Sequence, residues 1–170
     1  MSTRCAWCLS SANANDIGVI DFAEWSTTPA DVWEFTPAQL PTAGQLTALG
    51  SGRLDALDWW VVGYGTQEAV NGPGGQTHPD VAVRMKAPVD FDALNDSWIR
   101  LAMIASQDLG GACYGDSGGP NFMVLDGTLV LAGTTITGDV PCYATNVAYR
   151  MDTPSGSRVS EGPRRAAVMR

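Results

Sequence analysis

The chain has 170 residues, of which 45% are hydrophobic and 16% are charged, and its formal net charge is −8. This length predicts one domain with a buried core, and the acidic balance argues against nucleic-acid binding, which needs basic patches. No apolar run approaches the roughly 20 residues of a membrane-spanning helix, and Met1–Cys8 lacks the apolar region of a signal peptide.

The first 57 residues contain one short apolar strand and a long connection. The strand is Ile17–Phe22, and the connection is Asp31–Gly52, which is rich in Pro, Gly and Thr and has a weak helical start near Pro37. Cys5 and Cys8 form a Cys-x-x-Cys pair. We interpret the pair as incidental or as a tight local disulfide, because zinc would need two more ligands and a redox motif would need a βαβ unit.

Six later segments are predicted to be strands, because each is short, rich in β-branched or aromatic residues, and bounded by Gly, Pro, Asn or Asp. They are Asp58–Tyr64, Val81–Ala87, Trp98–Ala105, Pro120–Leu125, Thr128–Thr135 and Ala144–Met151. Asp126-Gly127 predicts a hairpin turn between two of them. The chain is therefore expected to be all-β over residues 58–153. Residues 154–170 are expected to be a disordered basic tail, since Arg158–Arg170 holds four arginines and one glutamate.

The most informative motif is Cys113-Tyr114-Gly115-Asp116-Ser117-Gly118-Gly119-Pro120. A serine hydroxyl is a poor nucleophile until a base takes its proton, and the oxyanion that its attack creates needs fixed backbone N–H donors. Glycines beside the serine permit the tight turn that positions such donors. The alternative interpretation is a glycine-rich turn between two strands. The motif resembles the nucleophile loop of trypsin-like (chymotrypsin-fold) serine proteases.

This resemblance implies a chymotrypsin-like double β-barrel. The second, six-stranded barrel would be complete over residues 58–153, and most of the first barrel would be missing, with residues 1–57 as its remnant and the inter-barrel linker. Ser117 would be the nucleophile, and the N–H groups of Gly115 and Ser117 would form the oxyanion hole. Asn15-Asp16-Ile17 resembles the family's aspartate motif, so Asp16 would orient the catalytic histidine.

The resemblance leaves the general base unassigned. The histidine precedes the aspartate in the family, and no histidine precedes Asp16 in this sequence. The only histidine, His78, lies in a Gly- and Pro-rich loop and is predicted to be solvated. We therefore expect a serine endopeptidase that lacks the N-terminal part of its domain and is inactive in the sequence as written. The alternative is a non-catalytic binding module on a protease scaffold.

The resemblance also assigns a substrate pocket. Gly111 and Ala112 would form its floor, and Gly138 and Asn146 would belong to its wall. Trypsins carry an aspartate at the floor. Its absence here predicts cleavage after uncharged, small to medium apolar residues.

Three further positions are interpreted through the family. Cys113 and Cys142 stand where the family has a disulfide between the nucleophile loop and the pocket wall. Ile136 replaces a serine that often supports the triad aspartate. Asp116 pairs in the family with an α-amino group near the start of the domain. Here it has no evident cationic partner, and a buried carboxylate without a cation is costly.

The expected partner is a peptide or protein substrate, with no metal or organic cofactor, no nucleic acid and no membrane span. Ile17–Phe22 would lack ladder partners on at least one side, so self-association through this uncovered barrel edge is also expected. The family is mostly secreted, which implies secretion, whereas the absent signal peptide implies a cytoplasmic location.

Overall fold

The computed structural model describes residues 38–140 and 142–157, and these residues are mostly β-structure with few helices. The predictions for Asp16, Cys5, Cys8, Ile17–Phe22 and residues 158–170 lie outside them. The elements, in chain order, are α1 (Gln45–Leu49), α2 (Ser51–Asp55), β1 (Trp59–Gly63), β2 (Val70–Gly72), β3 (Gly75–Thr77), β4 (Met85–Leu94), β5 (Trp98–Ala102), a 3₁₀ turn (Ala105–Gln107), β6 (Pro120–Leu125), β7 (Thr128–Gly138) and β8 (Thr145–Arg150). A helical turn follows at residues 154–157.

Six of these strands form one closed antiparallel barrel in the order β1-β4-β5-β8-β7-β6. Strand β1 closes it, because Trp59 lies opposite Val89 of β4 on one side and opposite Met123 of β6 on the other. The predicted β-structure and six-stranded barrel are therefore confirmed. Across the described ranges, no helix is long and apolar enough to cross a membrane.

The barrel core follows from alternation along the strands. In β1, Trp59 and Val61 are buried while Trp60 and Val62 are only half-buried, as expected when successive side chains point to opposite faces. The two short helices add Leu46 and Leu54 to the same core. The remaining core residues are Val89, Phe91, Ile99, Leu101, Met103, Ala112, Met123, Val130 and Ala132.

A buried ion pair joins the helices to the end of the barrel. Arg150 and Asp152 are only 5% and 1% exposed. The Arg150 guanidinium donates to both Asp152 oxygens at 2.8 Å, and it also donates to the Asn95 carbonyl and to the Thr47 hydroxyl. The Leu46 N–H donates to Asp152 Oδ2 at 2.9 Å. Helix α1 is therefore fixed to the residues that follow β8.

Two features differ from the sequence prediction. The strand predicted over Val81–Ala87 begins only at Met85 and continues to Leu94. Ala82 explains the late start, because its φ of 50° is left-handed and its N–H donates to the Asp80 side chain. The β2–β3 hairpin was not predicted, and all six of its residues are exposed.

Candidate functional site

Ser117 lies in the loop that leads into β6, on an exposed double turn. The Asp116 N–H donates to the Cys113 carbonyl at 3.1 Å, and the Gly119 N–H donates to the Asp116 carbonyl at 2.8 Å. Gly115 has a φ of 96°, a backbone conformation that glycine adopts far more readily than other residues. The two turns therefore hold Ser117 at the tip of the loop.

This loop is bound to the barrel on two sides. The Thr66 N–H donates to the Tyr114 carbonyl at 2.8 Å, which attaches the loop to the segment after β1. On the other side, the Gly118 N–H donates to the Thr135 carbonyl at 2.7 Å, and the Thr135 N–H donates to the Gly119 carbonyl at 2.9 Å. The loop is therefore rigidly placed against β1 and β7.

Three backbone N–H donors in this loop, those of Tyr114, Gly115 and Ser117, have no acceptor among the described residues. Ser117 itself is exposed, and its hydroxyl makes no hydrogen bond to a described residue. The loop thus offers a hydroxyl and three free N–H groups on an anchored backbone.

Asp116 has partners that the sequence did not reveal. Its carboxylate is 8% exposed, and it accepts hydrogen bonds from the Gly65 N–H at 2.8 Å and from the Cys113 N–H at 2.9 Å. A Cβ on Gly63 or Gly65 would fall 1.8 or 2.5 Å from its side-chain atoms. Both positions therefore require glycine so that the carboxylate can lie against the end of β1. Two backbone N–H groups are therefore the partners of a carboxylate for which the sequence showed none.

The predicted disulfide between Cys113 and Cys142 is confirmed, with the two Cα atoms 5.4 Å apart. The loop around Cys142 is organised by Asp139, whose carboxylate accepts from the N–H groups of Tyr143, Ala144 and Thr145. Burial raises the pKa of the Asp139 carboxyl, but these hydrogen bonds outweigh it, so its pKa lies below the usual value.

Two cavities flank Asp116. One, of about 920 Å³, is lined by Gly115 and Ser117. The other, of about 450 Å³, is lined by Gly111, Ala112 and His78. His78 is half-buried rather than solvated. Its ring lies edge-on against the Tyr114 ring at 5.4 Å, and its Nε2 is buried without a hydrogen-bond partner. His78 does not line the cavity that holds Ser117.

Of the four residues predicted to form a substrate pocket, two line one of these cavities. Gly111 and Ala112 line the 450 Å³ cavity, but Gly138 and Asn146 pair with each other across β7 and β8 and line neither cavity. Asn146 is 1% exposed, and its side-chain amide donates to Asn121 Oδ1 inside the barrel. The assignment of Asn146 to a pocket wall stays a prediction. Asn146 belongs to a buried polar contact between β8 and β6.

Ile136 occupies an irregular position in β7. The pairing of β7 with β8 shifts register between Thr135 and Thr137, so Ile136 is the residue left without a partner on β8. Such bulges re-aim side chains and are common next to functional sites. The predicted relation of Ile136 to Asp16 lies outside the described residues.

Sequence reasoning missed three charged residues at the cavities. Arg84 and Lys86 line the cavity of Ser117, and exposed Glu68 lines the cavity of Gly111 and Ala112. The Lys86 Nζ lies 4.5 Å from the centroid of the Trp60 ring. The spacing of Arg84 and Lys86 was a usable signal, because residues two apart lie on one face of a strand.

No protein-family model matches the chain, and no curated protein matches it. The chemistry of the site therefore rests on its own residues. Among residues 38–140 and 142–157, no group of three or more His, Cys, Asp or Glu side chains could hold a metal ion. What the arrangement offers is an exposed serine, two unpartnered N–H donors and two cations in one cavity.

Proposed function

We propose that this chain is a trypsin-like serine endopeptidase with a chymotrypsin-like double barrel, and that the sequence as written has no competent general base. Ser117 is the nucleophile, the N–H groups of Gly115 and Ser117 are the oxyanion donors, and Asp16 is the orienting carboxylate. One observation carries the proposal. Ser117 is exposed on a loop bonded to the segment after β1 and to β7. The two N–H groups that the proposal requires are among the three in this loop without acceptors, and both belong to residues that line the cavity of Ser117.

In this mechanism, the Ser117 Oγ attacks the scissile carbonyl carbon, and the carbonyl oxygen becomes an oxyanion. Hydrogen bonds from Gly115 and Ser117 stabilise that charge more than they stabilise the ground-state carbonyl. The hydroxyl proton must leave during attack, and the departing amine must gain a proton when the peptide bond breaks. The chain's one histidine, His78, does not line the cavity of Ser117, so in this proposal both transfers fall to water and peptide hydrolysis is very slow.

The alternative function is a non-catalytic binding module on the same scaffold. It is favoured by the position of His78, which lines a different cavity from Ser117. A histidine there would have to move to act as the base. The peptidase and the binding module differ in one testable property. In the peptidase, the Ser117 hydroxyl reacts with acyl donors faster than an ordinary exposed serine does.

Activated esters test that difference, because p-nitrophenyl esters have a good leaving group and need little help from an acid. Oxyanion stabilisation and binding alone leave serine proteases roughly 10³–10⁴-fold of catalysis over water. We expect slow acylation of the chain by p-nitrophenyl acetate, located at Ser117 by peptide mass spectrometry. Ser117→Ala should abolish it. Ser106→Ala, at an exposed serine in the 3₁₀ turn, should leave it unchanged.

Equal modification of Ser117 and Ser106 would overturn the proposal and support the binding module. The same protein should not cleave peptides or react stoichiometrically with a fluorophosphonate probe, since both require an activated serine. Stoichiometric probe labelling at Ser117 that is lost in His78→Gln would show that His78 acts as the base, and would contradict the missing-base part of the proposal.

A further inference from the structure

The cavity that holds Ser117 has an unbalanced charge. Its charged lining residues are Arg84, Lys86 and Asp116. Asp116 is 8% exposed, and both of its oxygens accept backbone N–H groups. Arg84 and Lys86 are exposed. A ligand in this cavity therefore meets two cations, in a chain whose net charge is −8.

Arg84 differs from the other arginines that the structure describes. Arg53, Arg100 and Arg150 each form an ion pair, with Asp126, Asp92 and Asp152 respectively. Within the described ranges, neither Arg84 nor Lys86 has a carboxylate partner. An acidic protein has many carboxylates that could pair with a surface arginine. Arg84 and Lys86 are unpaired within the described ranges and line the same cavity as Ser117, so together they form a site that can bind an anion.

The strand geometry keeps the two cations together. Lys86 is in β4, opposite Val62 of β1, and Arg84 immediately precedes the strand, two positions away. Both residues line the cavity of Ser117. The contact of Lys86 with the Trp60 ring holds the ammonium near the surface of β1. The cavity also contains the apolar side chains of Met85, Tyr64 and Phe122.

We propose that this cavity binds an acidic peptide segment of the substrate, with an aspartate or glutamate carboxylate paired to Arg84 and Lys86 while the scissile carbonyl lies at Ser117. The inference rests on the proposed function, and it adds a substrate class. An arginine guanidinium and a carboxylate form two parallel hydrogen bonds, and clustered like charges raise the local concentration of an oppositely charged ligand. The volume of about 920 Å³ lies within the roughly 300–1,000 Å³ of ordinary ligand sites.

The test compares two fluorescein-labelled peptides that share an apolar core and differ only in Asp-Asp against Asn-Asn. Binding is measured by fluorescence anisotropy at low and at physiological salt. We expect at least roughly tenfold tighter binding of the acidic peptide at low salt, and a smaller preference at high salt because exposed charges are screened. The overall charge of the chain repels an acidic peptide, so any such preference must be local.

Three variants assign the effect. Arg84→Gln with Lys86→Gln should abolish the preference, whereas Arg100→Gln, which removes an exposed arginine elsewhere on the barrel, should retain it. Ser117→Ala should also retain it. Equal binding of both peptides, or a preference that survives the double substitution, would overturn the inference. If the preference is present but ester acylation at Ser117 is absent, the proposed peptidase function fails and the anion site stands. If Ser117 is acylated but the chain shows no preference for the acidic peptide, the proposed peptidase function stands and the anion site fails.

Discussion

The buried pair of Arg150 and Asp152 is expected to contribute more to stability than any other ion pair that the structure describes. Replacing Arg150 by methionine keeps much of its aliphatic volume but removes the donors to Asp152, Asn95 and Thr47. Asp152, only 1% exposed, would keep the Leu46 N–H as a donor but would lose its cation. Breaking a buried ion pair in this way costs about 3–5 kcal/mol, a large part of the roughly 5–15 kcal/mol that stabilises a typical domain.

Urea unfolding followed by tryptophan fluorescence measures this loss, since the chain has six tryptophans. We expect the midpoint of Arg150→Met to fall by about 1 M urea or more. The matched control is Arg100→Met, because the Arg100–Asp92 pair is exposed, at 55% and 42%, and such pairs contribute about 0–1 kcal/mol. Adding Asp152→Leu to Arg150→Met should recover part of the loss by removing the unpaired carboxylate. Equal, small losses for Arg150→Met and Arg100→Met would refute this reasoning.

Three further predictions follow from the site. Because the pKa of Asp139 is lowered in the folded protein, its stabilising effect should be complete above its unfolded pKa of about 3.9 and disappear as the pH falls below the folded value. The unfolding free energies of wild type and Asp139→Asn should then differ at pH 7 and converge between about pH 5 and about pH 1; a constant difference would contradict the assignment. Replacing Cys113 and Cys142 together by serine should cost roughly 3–4 kcal/mol for a 29-residue separation, measured by thermal unfolding, and an unchanged melting temperature would contradict it. Gly65→Ala should lower the free energy of unfolding by about 1–3 kcal/mol, because the added Cβ displaces the Asp116 carboxylate. The control is Gly52→Ala, in an exposed part of α2 with open space at its Cβ, which should be neutral or stabilising. Equal effects of the two substitutions would contradict this prediction.

The barrel could be predicted because its signals are local. Each strand carries its own alternation and is bounded by turn residues, so five of the six segments were predicted to within three residues of their observed bounds. The start of β4 was predicted too early. The Ala82 N–H donates to the Asp80 side chain and Ala82 has a left-handed φ, so the segment before Met85 is bent although its residue types are typical of a strand. The β2–β3 hairpin was missed because its exposed residues show no alternation.

The site was predictable only where its parts are neighbours in the chain. The motif located Ser117 and Gly115. The partners of Asp116 are backbone N–H groups, which no side-chain pattern reveals. The burial of Asn146 was not predicted, for a different reason. The face that a strand residue occupies depends on register, and a shift of one residue moves a side chain from the pocket to the interior.

The contact of helix α1 with the end of the barrel also has a consequence for folding kinetics. The hydrogen bond between Leu46 and Asp152 joins residues 106 positions apart, with every barrel strand between them. The entropic cost of closing a loop rises with its length, so we expect this contact to form after the barrel does. Interactions that are absent from the folding transition state act on the unfolding rate. Weakening this contact should therefore shorten the lifetime of the folded molecule while leaving the speed at which new chains fold nearly unchanged.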